Sequence, residues 1–134
     1  MLRNEGTHIC THLHSGNAND VMERLNKGLD DLIFTVHDIT DSKYNILELP
    51  LLDQWGILLK KSHPLAMKKT VSLMDIETEP LIVAKQVYER IFPIWFPNER
   101  YLKLNISATY NLVYNGALFV MEGLGVCITF RKLI

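Results

Sequence analysis

Several absences narrow what this chain can be. No stretch approaches the roughly 18 consecutive apolar residues that a membrane-crossing helix needs, and none of the partner classes it favours is a membrane. The opening residues MLRNEGTHIC carry one early arginine and no apolar run behind it. No secretory leader is therefore legible, and a cytoplasmic location is the default expectation. Cysteine occurs only at Cys10 and Cys127, too few and too far apart for a disulfide framework. Both lie in apolar stretches, HICTH and GVCITF, and read as small buried hydrophobes in a reducing compartment. A surplus of positive charge is also missing: 14 Lys and Arg face 15 Asp and Glu, a net charge of −1. Nucleic-acid binding needs a clustered basic face. The nearest feature, Lys60-Lys61 with Lys68-Lys69 around SHPLAM, reads as a solvated loop edge. By itself the chain is not expected to bind DNA.

Catalytic signatures are absent as well. There is no GxSxG or SxxK nucleophile motif, and no GxxxxGK[ST] or GxGxxG phosphate cradle. The expectation is a protein that is not an enzyme and carries no cofactor. Alternating His8, Cys10, His12 and His14 invite a metal reading, since residues two apart on a strand share a face. No CxxC, HExxH or acidic loop accompanies them, so filling of a sheet face is the favoured reading and no metal site is assigned. Asp30-Asp31 is a polar lead-in to a strand, because adjacent strand residues point to opposite faces.

What is present describes a soluble α/β protein. Its 134 residues fit one domain or two small lobes. Thr7–His14 is β-favouring and ends at the turn Ser15-Gly16-Asn17. NDVMERLNKG then reads as a helix capped by Asn19 or Asp20, with Val21, Met22 and Leu25 as its apolar stripe and Gly28 as its stop. LDDLIFTV reads as a buried strand, which completes a βαβ unit. After a polar loop, ILELPLLDQWGILLKK gives two extended pieces, with Pro50 at an edge or bulge. Beyond SHPLA the pattern restarts. A short helix is capped by Ser72, LIVA is a strand, and Gln86–Phe92 is a helix ended or kinked by Pro93. Leu104–Tyr110 is a strand, Asn111–Glu122 a helix with Asn111 as cap and Gly123 as stop, and VCITF a buried strand. Gly123-Leu124-Gly125 reads as a helix stop and a tight entry to that strand. Trp55, Trp95 and Phe96 sit at element ends, where large aromatics pack against a sheet.

In open parallel sheets, ligands sit beyond the carboxyl ends of the strands. The loops so placed are 15–19, 36–38, 84–87 and 109–111. Asn17 and Ala18 stand at one helix N-terminus, Lys85 and Gln86 at a second, and Thr109, Tyr110 and Asn111 at a third. Free N–H groups there favour anions. Capping or turn formation explains each residue singly. Together they suit a small carboxylate or a polar aromatic acid.

Four stretches resemble LysR-type effector-binding domains, in that family's order and spacing: LHSGNANDVMERLNKGLDDLIF, LLDQWGILLKKSHPLA, EPLIVAKQ and LNISATYNLVYNGALFVMEGLGVCITFRKLI. They span nearly the whole chain. The resemblance implies a two-lobed α/β fold of the periplasmic-binding-protein type (type II), with a small-molecule effector held between the lobes. It implies lobe one at 1–61 and lobe two at 62–134. It adds Val36 and His37 as a cleft-facing point and supports the other loop residues as effector-binding. Compared with the family, the sequence opens at the second strand of the sensing domain and stops before the return to lobe one. Lobe one is thus expected to be incomplete, and rearranged or completed by another copy, as a homo-oligomer. DNA would be reached only through a helix-turn-helix domain absent from this chain. Two other readings stay open: a stand-alone solute-binding protein, which would need a secretion signal, and a small enzyme on a related scaffold. For the enzyme the titratable candidates, His37 and Lys85, form no evident pair.

Overall fold

The structure, a computed structural model, describes Gly6 and residues 8–36 and 38–131. Contacts group the chain into two compact units, Met1–His37 and Asp38–Ile134. Each is described by itself.

Among the described residues of the first unit the regular element is helix α1, Ala18–Asn26. Its cap is Asn17, not Asn19 or Asp20: the Asn17 side chain accepts the Asp20 N–H at 3.0 Å. At the other end Gly28, with φ +68°, makes the expected stop. There the Gly28 and Leu29 N–H groups donate to the carbonyls of Leu25 and Arg24. A two-pronged Arg24–Asp30 pair, both contacts at 2.9 Å, ties the helix to the chain that follows. The strands expected over Thr7–His14 and Leu29–Val36 do not form among the described residues, and neither does one over Ile46–Leu51 in the second unit. These segments carry exposed Leu13, Leu32, Phe34 and Leu47 instead. The physical reason is that β propensity becomes a strand only when a neighbour pairs the backbone N–H and C=O groups. The reading of Cys10 as buried is corrected too, for its side chain is exposed. Asp31 is exposed, as a polar lead-in would be, but no strand follows it.

The second unit is built on four strands: β1 (Trp55–Leu58), β2 (Leu81–Ala84), β3 (Ile106–Tyr110) and β4 (Val126–Phe130). Their order is β1-β4-β2-β3, with β2 parallel to both β3 and β4 and β1 antiparallel to β4. Trp55–Leu58, which the 1–61 division assigns to the first lobe, is thus hydrogen-bonded into this sheet. β2 is apolar on both faces, as its uninterrupted LIVA run requires, and Leu81, Ile82 and Val83 are wholly buried. Leu81 and Val83 pack with Phe92, Phe96, Val126 and Ile128 on one side, while Ile82 packs with Val120 and Cys127 on the other. The sheet is therefore a middle layer between two helical ones.

Helix α2 (Leu73–Ile76) begins at Ser72, whose hydroxyl and the Asp75 carboxylate cap each other's backbone N–H groups. Helix α3 (Lys85–Arg90) stops before Pro93, which sits in the first turn of α4 (Phe92–Trp95), where a missing N–H costs nothing. The aromatic anchors pack as expected, with Trp55 against Trp95 at 4.9 Å and Phe96 buried beside Phe92. Helix α5 (Val113–Met121) is followed by Gly123 at φ +82°. Gly125 then has φ +152°, and a Cβ there would lie 2.2 Å from the Pro80 carbonyl oxygen. That contact explains the second glycine of Gly-Leu-Gly: β4 enters the sheet directly against β2's lead-in.

Candidate effector cleft

Two consequences of the topology make a depression at one end of the sheet. Parallel β2 runs straight into α3, and β3 leads through Asn111 and Leu112 into α5, so their carboxyl ends open on the same side. Gly116 then lets α5 lie close over that end, its Cα 's missing side chain being replaced by the Cys127 sulfur and the Tyr110 ring. The result is an open cleft of about 450 Å³. That volume falls within the ordinary range for small-molecule sites.

Lys85, Thr109, Tyr110 and Asn111, all singled out from the sequence, line this cleft. So do Asn115, Leu118 and Phe119, which were not. Their signal was available: counted from Asn111, they fall at helical spacings of four, seven and eight along a segment already read as helical. Gln86 is half-buried at the start of α3 and does not line the cleft. Asn17, Ala18 and Val36 belong to the other unit; Asn17 caps α1, Ala18 is its first residue, and Val36 is exposed. His37 lies outside the described residues.

The chemistry of the lining is mixed. Lys85 is the charged side chain, exposed and 3.8 Å from Glu89 one turn along α3. Asn111 does not cap α5 in the expected way. The cap position is Leu112, which has no side-chain acceptor for the first turn. Asn111 Oδ1 instead accepts from the Leu112 N–H at 3.0 Å and from Asn115 Nδ2 at 3.1 Å. The uncapped start of α5 keeps donor N–H groups and the positive end of the helix dipole at the cleft. Tyr110 contributes its ring, because its hydroxyl is turned inward to donate to the Ile128 carbonyl at 2.8 Å. Burial pushes that phenol up to about 12, and burial likewise pushes the Cys127 thiol up to about 11. Both therefore stay neutral at ordinary pH. Leu118 and Phe119 supply an apolar wall. The arrangement offers a cation, amides and helix N–H groups beside an apolar surface, a combination suited to an anionic organic molecule.

Comparison with known proteins gives a consistent family. A family model described as LysR substrate binding domain matches residues 1–133. The chain is 28% identical over 116 residues to the uncharacterized HTH-type transcriptional regulator YvbU of Bacillus subtilis, covering 87% of this chain and 38% of that protein. It is 32% identical over 124 residues to the HTH-type transcriptional activator CmpR of Synechocystis, covering 90% of this chain and 40% of that one. The chain thus spans well under half the length of the curated relatives it matches. The crystal structure of HinK, a LysR family transcriptional regulator from Pseudomonas aeruginosa, superposes with a TM-score of 0.70 at 24% identity over 89% of this chain and 41% of that one. That likeness bears on the fold, which is the mixed α/β, periplasmic-binding-protein-like one.

Proposed function

The chain belongs to the LysR substrate-binding domain family, and from that premise we propose that it senses a small-molecule effector on behalf of a transcription regulator. The observation that carries the reading is the meeting of Lys85, Thr109, Tyr110 and Asn111 in one cleft at the carboxyl ends of β2 and β3. The ligand class we assign is a small carboxylate or aromatic acid. Its anionic group would face Lys85 and the start of α5, and its apolar part Leu118 and Phe119. Asn17, Ala18, Gln86, Val36 and His37 are assigned to the effector site on the resemblance.

Binding would act by differential affinity for two conformations, with couplings of this kind worth about 1–3 kcal/mol. The output would reach DNA through a helix-turn-helix domain on a longer protein, as the HTH-type names of the two relatives suggest. The reading makes the domain a cytoplasmic, non-enzymatic homo-oligomer without a cofactor. No helix among the described residues is long and apolar enough to cross a membrane.

A thermal-shift screen of small carboxylates and aromatic acids tests this directly. A ligand at about 100 times its Kd adds about 2.7 kcal/mol to stability, so a true effector raises Tm by several degrees. Lys85→Ala should abolish that rise while leaving the ligand-free Tm nearly unchanged, because its side chain is exposed. A flat response across the panel, or a response indifferent to Lys85→Ala, would remove the assignment.

A further inference from the structure

We propose that Asn115 is a specificity-determining residue of the cleft, and that the effector it selects is a hydroxy acid, with a hydroxyl next to its carboxylate. The inference rests on the effector reading above and names a chemical class within it. Its starting point is an amide orientation that the backbone dictates. The Leu112 N–H can only donate, so the Asn111 atom facing it at 3.0 Å is the carbonyl oxygen Oδ1. That same oxygen faces the Asn115 amide at 3.1 Å, so Asn115 presents its Nδ2 there. Both amides are thereby fixed in sense, which an isolated asparagine on a surface is not. The Asn115 backbone N–H is already engaged by the Leu112 carbonyl at 3.0 Å.

The groups left over set the selectivity. Asn111 has its oxygen occupied from two sides and offers its Nδ2 N–H groups to the cleft. Asn115 offers its remaining Nδ2 N–H and its carbonyl oxygen Oδ1. Elsewhere on the lining, Lys85 only donates, the Tyr110 hydroxyl is turned to the Ile128 carbonyl, and Leu118 and Phe119 are apolar. The Thr109 hydroxyl rotates to donate or accept. Asn115 Oδ1 is thus the obligatory acceptor among the lining side chains. A bare carboxylate carries acceptors alone. It suits Lys85 and the Asn111 N–H groups, but it displaces water from Asn115 Oδ1 and puts no donor in its place, which costs affinity. A hydroxyl donates and accepts at once, and so matches the Oδ1 and the remaining N–H of a single amide. An ammonium group would also donate, but it adds positive charge to a cleft that already holds Lys85 and the positive end of α5. Hydroxy acids are therefore preferred to amino acids as well as to unsubstituted acids.

Calorimetric titration with matched acids is the test: lactate against propionate and L-alanine, and mandelate against phenylacetate. In at least one series the hydroxy acid should bind at least about fivefold more tightly than its partners, the scale of one hydrogen bond. Asn115→Leu should bring the dissociation constants together by removing the hydroxy acid's advantage. A merely structural role, holding Asn111 in place, would instead weaken both members of a pair alike and leave their ratio unchanged. Lys85→Ala should weaken both members and keep the ratio, which separates recognition of the carboxylate from recognition of the hydroxyl. Asn115 is exposed, so the ligand-free Tm of its variant should stay nearly unchanged. The proposal is overturned if the preference survives Asn115→Leu, if it vanishes instead in Thr109→Val, or if neither hydroxy acid binds better than its partners. In that last case, binding of other acids in the thermal-shift panel leaves the effector reading standing, whereas a panel flat throughout removes both.

Discussion

Replacing Gly116 by alanine sets two effects of opposite sign against each other. Gly116 lies inside α5, where alanine is worth about 1 kcal/mol more than glycine in intrinsic propensity. Against that gain, the added Cβ would stand 2.9 Å from Cys127 Sγ and 3.0 and 3.2 Å from two ring carbons of Tyr110. Neither neighbour yields easily. Cys127 is wholly buried, and the Tyr110 ring is anchored by its hydroxyl on the Ile128 carbonyl. Overpacking of this kind costs about 1–3 kcal/mol, so the balance is a net loss of about 1 kcal/mol. With m of about 2 kcal/mol/M, the urea midpoint followed by far-ultraviolet circular dichroism should fall by about 0.5 M. The wedge would also lift α5, which carries Asn115, Leu118 and Phe119, from the end of β3, and so weaken any effector bound between them. Cys127→Ala in the same background should return part of the loss, as a coupling of about 0.5 kcal/mol or more in a double-mutant cycle. A higher midpoint at unchanged m would show that propensity wins and that helix and sheet are not in close contact at this point.

Two further outcomes follow from titratable groups. The Asp75 carboxyl is held down to about 2 by the Lys68 ammonium, and next by the backbone N–H and hydroxyl of Ser72. Since its folded pKa lies below the unfolded value of about 3.9, its contribution is fully present above about pH 4 and lost as pH falls through about 2. Urea midpoints stepped through that window should decline, and Asp75→Asn should flatten the decline; an unchanged slope in the variant would refute the assignment. An ultraviolet titration should find a phenol ionising only near pH 12. Tyr110→Phe should delete that late step and cost about 1 kcal/mol for the lost hydrogen bond; a late step that persists would place it on another tyrosine.

The elements of the second unit were legible because local chemistry and tertiary packing agree there. Ser72, Gly123 and the apolar runs LIVA and VCITF each act within a few residues and each is found in its expected part of an element, whereas the helix expected over Gln86–Phe92 runs Lys85–Arg90 and Pro93, expected to end or kink it, stands in the first turn of α4. The cap of α1 was misplaced by two or three positions, because several Asn and Asp residues there are equally capable caps and only backbone geometry chooses Asn17. The same limit hid the detail at α5, where Asn111 serves Leu112 and Asn115 and leaves the first turn open. The segments around His8–His14 and Leu29–Val36 read as strands because they are rich in β-favouring and apolar residues, and that signal does not include a partner.

Family and fold class were thus determined by the sequence alone, since four motifs in order and a match over residues 1–133 depend only on the succession of residues. The sequence also singled out Lys85, Thr109, Tyr110 and Asn111, which line the cleft at the ends of β2 and β3, while Gln86, picked by the same reasoning, does not. Tertiary structure decided the rest. It chose which β-favouring segments become strands, because a ladder needs a second strand to satisfy its N–H and C=O groups. It also brought Asn115, Leu118 and Phe119 to the cleft, because a helix face is selected by what it packs against.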